Sequence, residues 1–352
     1  MHIIRSSDKM NKTSVVILNW NGTKFLKKFL PGVIEHSIEP GIDVIVADNG
    51  STDDSVSLLK TEFPQVRIIE LDKNYGFAGG YNKALELIDS EYFILLNSDI
   101  EVTENWIHPL INYLDENPQV GACMPKLRNY YDREYFEYAG AAGGFIDKYG
   151  YSFCRGRIFD TLEKDNGQYD DIKSVFWATG ACMFVRAEAF KKVNGFDAEF
   201  FAHMEEIDLC WRLKLSGYSI MYVPLVKVFH VGGGSLPKEN PQKTFLNFRN
   251  NLFLLSKNLP SAYLYRILII RLFLDYLAAF KYLINFKFKH FFAIFKSHLN
   301  FFKKISYLQS QRNERRDILK NKILQPEMLN KSLLIEYFIK RNKKFNKVIV
   351  NN

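Results

Sequence analysis

With 352 residues, 47% hydrophobic and 24% charged, the chain can bury a sizeable core and is too long for one minimal domain. Its four cysteines are widely spread with no CxxC pair, which argues against a zinc knuckle or disulfide framework and for reduced thiols in a cytosolic protein. A net charge of +8 favours anionic partners without choosing among nucleotides, phospholipids and nucleic acid, and the opening MHIIRSSDKMNKTS lacks the apolar run of an export signal.

From residue 12 to about 235, short apolar runs alternate with helical patterns. SVVILNW (14–20) is a continuous apolar strand of the kind buried on both faces. The helical stretch TKFLKKFLPGVIEHS follows, then the strand DVIVADN (43–49), the turn GSTDDS and a helix over 54–61. QVRIIEL (65–71) and YFILLNS (92–98) read as two further strands, with a helix through 81–88 between them. This alternation predicts an α/β fold with a mainly parallel central sheet. Ligands of such sheets bind beyond the carboxyl ends of the strands. Asn19, Asp48 and Asp99 all fall at strand ends, so they are expected to share one rim.

A second acidic site lies far downstream. FFAHMEEIDLCWRL (200–213) places Glu205, Glu206 and Asp208 within four positions, and VFHVGGGS supplies His230 about one strand later. Carboxylates that close repel one another unless a cation, a proton or a donor-rich substrate sits among them. A solvated acidic helix face accounts for the spacing equally well, and Asp208 also stands four residues from Arg212, the spacing of an ordinary helix ion pair.

The chain divides into a domain over 12–250 and a region over 251–352 that is dense in Phe, Tyr, Leu and Ile. Arg266, Arg271, Asp275 and Lys281 interrupt the apolar run too often for a bilayer span. Between Asp275 and Glu314 there is no acidic residue, while Lys281, Lys287, Lys289, Lys296, Lys303 and Lys304 recur among aromatics. That pattern predicts basic amphipathic helices lying in the interface of an anionic membrane leaflet. Helices packed on the first domain, or a partner-binding surface, are the alternatives. The tail over 311–352 is charged, with a weak helical pattern.

SVVILNWNG, VIVADNGSTDDS, NYGFAGGYNKAL, FILLNSD, WATGACMFVRAEAF and GFDAEFFAHMEEIDLCWRLKLSGY with the trailing HVGGGS occur in the order seen in family 2 glycosyltransferases. Over about residues 12–235 the chain most resembles the bacterial rhamnosyltransferase-like branch. The resemblance implies the nucleotide-sugar-binding GT-A fold and inverting chemistry. It implies that Asp48 accepts a hydrogen bond from a uracil or thymine base, although Asp in DNGS also caps turns. Asn19 and Trp20 then line the base and ribose pocket. The loop over 72–82, with Asn74 and Gly76, lets backbone approach a ligand, and the helix after it starts with N–H groups facing an anion.

By the same resemblance Asp99 and His230 hold a divalent cation, Mg²⁺ or Mn²⁺, at the donor diphosphate. Asn97 replaces the first carboxylate of the family's DxD pattern, which leaves it, with Ser98, to contact the donor. Glu206 aligns with the family's base, the second residue of a Glu-Asp pair, and carries one extra methylene. Glu205 and Asp208 orient that base, hold an acceptor hydroxyl or cap the helix. Trp177, with Thr179 and Gly180, lines the floor beneath the sugar, or is simply a core tryptophan.

The expected activity is metal-assisted transfer of a sugar, such as rhamnose or another deoxyhexose, from a nucleoside diphosphate sugar to a saccharide or lipid-linked saccharide. The expected setting is cell-surface polysaccharide synthesis on the cytoplasmic membrane face, peripheral to an anionic membrane surface and without nucleic acid. A nucleotidyltransferase-like enzyme would need a Gly/Lys/Arg-rich triphosphate loop near the first strand, for which NWNGTKF is a poor candidate. A non-catalytic, membrane-bound saccharide-binding relative is conceivable from the NSD and Glu-Glu departures.

Overall fold

The computed structural model describes residues 11–232, 240–320 and 324–349. The N-terminal stretch up to residue 10 and the end of the HVGGGS motif lie outside the described residues.

Four parallel strands form one half of the main sheet: β1 (Asn11–Asn19), β2 (Ile42–Asp48), β3 (Arg67–Glu70) and β4 (Ser90–Asn97), in the order 3-2-1-4. Helices α1 (Thr23–Glu35), α2 (Ser55–Glu62) and α3 (Gly76–Leu85) make the crossovers. Val15, Val16, Ile45, Val46, Ile94 and Leu95 are fully buried, as strands covered on both faces require, which is why they read as unbroken apolar runs. The registers Asn19↔Asp48 and Leu18↔Asn97 bring three strand ends level, with Asp99 two residues beyond the end of β4.

Beyond β4 the sheet becomes mixed. The Cys182–Arg186 strand runs antiparallel to β4 and separates it from β6 (Val120–Asn129); the short β5 (Ile100–Glu101) precedes β6 in the chain. The Ser219–His230 strand then pairs parallel to β6 and antiparallel to β5, and this carries His230 back beside Ile100 at the rim. A second, five-stranded sheet combines four short strands between Gly144 and Leu162 with Met328–Leu329.

Helix α3 begins five residues earlier than the apolar pattern predicts. Glycine is a poor helix former, so NYGFAGG reads as a loop. Here its first turn packs too closely for side chains: a Cβ on Gly80 would lie 2.9 Å from both Asn49 and Leu18. Tertiary contact overrides propensity.

Further helices include α4 (His108–Glu116), α5 (Ala187–Lys192), α6 (Glu205–Leu215), α7 (Pro241–Asn258), α8 (Ser261–Ile284), α9 (Phe288–Lys303) and α10 (Ile305–Asn313). The expected division at residue 250 falls inside α7, whose residues from Arg249 through Asn258 are buried. Lys257, fully buried, pairs with Asp208 at 3.0 Å and with Asp197, and Asn258 donates to Asp208 at 2.8 Å. Asp275 ties α8 to α9, bonding Arg271 at 2.7 Å and His298 at 3.1 Å. Among the described residues no helix is long and apolar enough to cross a membrane.

Removing one partner of a buried ion pair leaves an uncompensated charge, at a cost of about 3–5 kcal/mol. Lys257→Ala is therefore expected to lower unfolding free energy by about that amount in urea titrations. A loss below about 1 kcal/mol would contradict the packing of α7 on α6.

Candidate active site

The β1–β2 side of the rim is a polar lattice. Asn19, fully buried, donates from Nδ2 to Asp48 at 2.9 Å and to Ser51 at 3.2 Å. Asp48 in turn accepts from the Ser51 amide at 2.8 Å, so its carboxylate does cap the DNGS turn. Asn49 and Asn74 pin the glycine-rich loop: Asn49 accepts from Tyr75 N at 3.0 Å and donates to the Gly76 carbonyl at 3.0 Å, while Asn74 accepts from Gly76 N at 2.8 Å. Trp20 stands beside them, 49% exposed and open to stacking.

One expectation for this loop fails. The first amides of α3 do not face an anion, because Phe77 N and Ala78 N both donate to the Phe201 carbonyl, at 2.7 and 3.3 Å. Helix N-termini leave such donors orphaned, and here protein backbone has taken them.

On the far side of β4, Asp99 and His230 meet as expected. His230 Nε2 lies 3.1 Å from Asp99 Oδ1 and 3.4 Å from the Asn97 amide, and Gly232 N donates to Asp99 Oδ2 at 3.2 Å. A residue that sequence reading missed completes the arrangement: Glu137 Oε1 lies 3.1 Å from His230 Nδ1, at ion-pair distance though off the hydrogen-bonding angle, and is itself buried. Glu137 sits in an irregular loop without a motif, so nothing in its local sequence marks it. Burial disfavours a charged imidazole, but Glu137 and Asp99 outweigh it and push His230 up to about 10. Burial likewise opposes a charged Asp99, yet the His230 charge and hydrogen bond, with nearby amides, hold its carboxyl below the usual range.

The donor set here is one carboxylate and one imidazole whose other nitrogen faces a second carboxylate. That is the arrangement by which a carboxylate orients a metal-binding histidine. An imidazole pushed up to about 10 is protonated near neutrality and has no lone pair to give, so Asp99 is the ready oxygen ligand for a hard divalent cation and His230 can join it only by releasing its proton. Among the described residues no three acidic, His or Cys side chains converge as a ready-made cation cage. Asp99, His230 and Glu137 are strung in a line with the imidazole in the middle.

The acidic helix closes the site. Glu205 is buried and Glu206 half-buried, and each has a carboxylate oxygen with no hydrogen-bond partner among the described residues. Burial pushes Glu206 up to about 7 against the opposing pull of backbone amides at the start of α6, and burial plus the adjacent Glu206 charge drives Glu205 well above the ordinary range. The floor residues link the two sides. A Cβ on Gly180 would lie 3.7 Å from Glu206 Cβ, and the neighbouring Ala181 carbonyl accepts from Asn97 N at 2.9 Å.

Two assigned residues are elsewhere. Asp208 is fully buried on the α7 side of α6, with Arg212 at 2.7 Å, Lys257 at 3.0 Å and Asn258 at 2.8 Å, so it has no free face for substrate. Trp177 is 3% exposed, donates its indole N–H to the Phe145 carbonyl at 3.0 Å and packs on Gly144. It is a core residue. A cavity of about 740 Å³ between the small sheet and residues 326–349 contains none of the rim or acidic side chains.

A parallel sheet ending in a polar rim, faced by a half-buried carboxylate, fits one class: a glycosyltransferase of the GT-A fold. Residues 14–193, just over half of the chain, match the family model described as Glycosyl transferase family 2, and the chain belongs to that family. The match ends before α6.

The chain is 27% identical over 234 residues to the N-acetylglucosaminyl-diphospho-decaprenol L-rhamnosyltransferase of Mycobacterium tuberculosis, covering 61% of this chain and 75% of that one. It is 28% identical over 163 residues to the rhamnosyltransferase WbbL of Escherichia coli, covering 44% and 61% respectively. Among solved structures, GalNAc-T7 with UDP, GalNAc and Mn²⁺ superposes with TM-score 0.56 at 14% identity, over 73% of this chain and 49% of that one. Residues 1–349 of Staphylococcus aureus TarS with UDP-GlcNAc give TM-score 0.53 at 13% identity, over 88% and 90%. These likenesses show the fold.

The raised Glu206 carboxyl has a consequence for stability. The folded state keeps this proton to about 7 whereas the ordinary value is 4.5, so the folded state binds more protons in that window and stability falls as pH rises through it. Glu206→Gln is expected to melt near wild type at pH about 4 and to be more stable by about 1–3 kcal/mol at pH about 8. Thermal melts at the two pH values check this; an unchanged difference between them would contradict it.

Proposed function

We propose that this glycosyltransferase transfers a sugar, with inversion, from a nucleoside diphosphate donor to a hydroxyl of a lipid-linked saccharide. The observation that carries the reading is Glu206: a half-buried carboxylate with an unpartnered oxygen, one floor segment away from Asn97 and the Asp99–His230–Glu137 line. A carboxyl held near neutrality is suited to general-base work at physiological pH.

In this reading Asn19, Asp48 and Trp20 receive the base and ribose, and Asn74, Asn97 and Ser98 line the path of the diphosphate, while Gly76, buried under the Phe201 ring with its own N–H and carbonyl bonded, only shapes the loop. Glu206 removes the proton of the acceptor hydroxyl as its oxygen attacks the anomeric carbon from the face opposite the diphosphate. The bond between that carbon and the diphosphate oxygen breaks, and the nucleoside diphosphate leaves with the electron pair. Glu205, whose own proton is held by burial, neutralises the environment of Glu206 without competing as a second base. Asp99 would hold Mg²⁺ or Mn²⁺, with His230 joining it as its imidazole gives up a proton to solvent, and the cation would supply charge stabilisation to the departing diphosphate. Glu137 then keeps the imidazole oriented. The match to rhamnosyltransferases favours a deoxyhexose donor such as dTDP-rhamnose, and the printed name of the mycobacterial relative favours a polyprenyl-diphosphate-linked saccharide acceptor.

A lipid-linked acceptor calls for contact with a membrane, and α8 and α9 provide a surface of the right chemistry. Tyr265, Ile269, Phe273, Tyr276, Phe280 and Ile284 recur every three or four residues along α8, all exposed, and Phe288, Phe292, Phe295, Leu299 and Phe302 do so along α9. Such a stripe with lysines beside it fits the headgroup boundary of an anionic bilayer on the cytoplasmic side.

Glu206→Gln is expected to lower transfer by at least about a hundredfold while donor affinity stays within about twofold. Equal loss of nucleotide binding would count against the base assignment. Asp99→Ala is expected to weaken nucleoside diphosphate binding only when divalent metal is present, as read by calorimetry with and without Mn²⁺. Phe280→Glu with Phe292→Glu is expected to abolish co-sedimentation with phosphatidylglycerol vesicles. Retention on those vesicles would rule out the α8–α9 face as the docking surface.

A further inference from the structure

The turn that delivers Glu205 and Glu206 is held in an unusual shape. Phe201, His203 and Met204 have φ of 63, 69 and 73°, a left-handed region that bulky residues seldom occupy. Such a cluster persists only where the surroundings over-determine it. The determining groups come from α7, far along the chain. The fully buried Asn250 side-chain amide lies 2.9 Å from the Phe200 carbonyl, 2.9 Å from the Ala202 carbonyl and 2.7 Å from the His203 carbonyl. Arg249 Nη2 donates to the Glu199 and Phe200 carbonyls at 2.8 and 3.0 Å. Arg249 Nε donates to Asn250 Oδ1 at 2.8 Å, which fixes the amide with its N–H groups towards the turn.

We propose that Asn250 and Arg249 are positioning residues for sugar transfer, clamping the 199–204 turn in the one conformation that aims Glu206 at the acceptor hydroxyl. The inference rests on the assignment of Glu206 as base. The Phe201 carbonyl, pointing the other way, accepts the first amides of α3, and the Phe201 ring covers Gly76. One turn thereby sets the distance between the glycine-rich loop that meets the donor and the carboxylate that meets the acceptor. Without the clamp, the Phe200, Ala202 and His203 carbonyls lose partners that only a relaxed turn can replace with water. Relaxation at Met204 rotates the first turn of α6, which bears Glu205 and Glu206. Displacements of about 1 Å in a catalytic group lower rates by up to about a hundredfold.

Asn250→Asp keeps the size of the side chain and removes both donors. It is expected to lower kcat at least about tenfold, leave donor KM within about twofold, and speed hydrogen exchange in a peptide spanning 199–206. Thr244→Val, on the same helix, removes the buried bond to His290 and is the control for α7 packing; it is expected to lower Tm with kcat unchanged. Combining Asn250→Asp with Glu206→Gln is expected to cost no more than Glu206→Gln alone, because both act through the same carboxylate. Should Asn250→Asp not accumulate as folded protein, Arg249→Lys, which loses the fork that holds Asn250, gives the same kcat-selective loss in milder form. A wild-type kcat in the folded clamp variants with Glu206→Gln inactive overturns the clamp. Losses of kcat that merely track Tm across Asn250→Asp, Arg249→Lys and Thr244→Val also overturn it, whereas an active Glu206→Gln overturns the base assignment instead.

Discussion

The molecule turns on a buried carboxylate whose partners all come from the protein itself. Asp208 lies at 0% exposure, and an unpaired charge there would be intolerable. Arg212 from its own helix and Lys257 with Asn258 from α7 neutralise and bond it, holding Asp208 well below the usual carboxylate range despite its burial. The pairing fixes α6 against α7. The same helix α7 then reaches the turn at the start of α6 through Arg249 and Asn250, so one helix of the C-terminal region controls both where α6 lies and how it begins.

Adjacent acidic residues have opposite environments within four positions. Glu205 and Glu206 face the site, with burial favouring their protonated forms, while Asp208 is surrounded by cations and stays ionised. Across the floor formed by Gly180 and Ala181, Asp99 and His230 make a site that favours charge. The cleft is thus divided into a side whose groups favour charge and a side where burial favours the protonated carboxyl.

Much of this was legible in the residues. Continuous apolar runs such as SVVILNW identify strands covered on both faces, and their polar last residues mark the rim, because parallel register levels the strand ends. Proximity in three dimensions was not legible. Glu137 lies in a loop without periodicity, and only the course of the Ser219–His230 strand beside β6 brings His230 to it. Asp208 was ambiguous from spacing alone: four residues to Arg212 fits an ion pair, three from Glu205 fits a shared face, and the deciding Lys257 lies 49 positions away. Trp177 and the start of α3 failed for a related reason, since glycines at 144 and 80 mark surfaces that fit closely against others rather than open loops.

The path of α7 also bears on where the protein ends as a working unit. Every recognisable sequence signature lies upstream of it, and a chain cut at residue 250 would preserve all of them. It would also end on the very amide that holds the 199–204 turn and sever Lys257 and Asn258 from Asp208. The folded unit that presents Glu206 is therefore longer than its signatures, because α7 holds both the flank of α6 and the turn from which it starts.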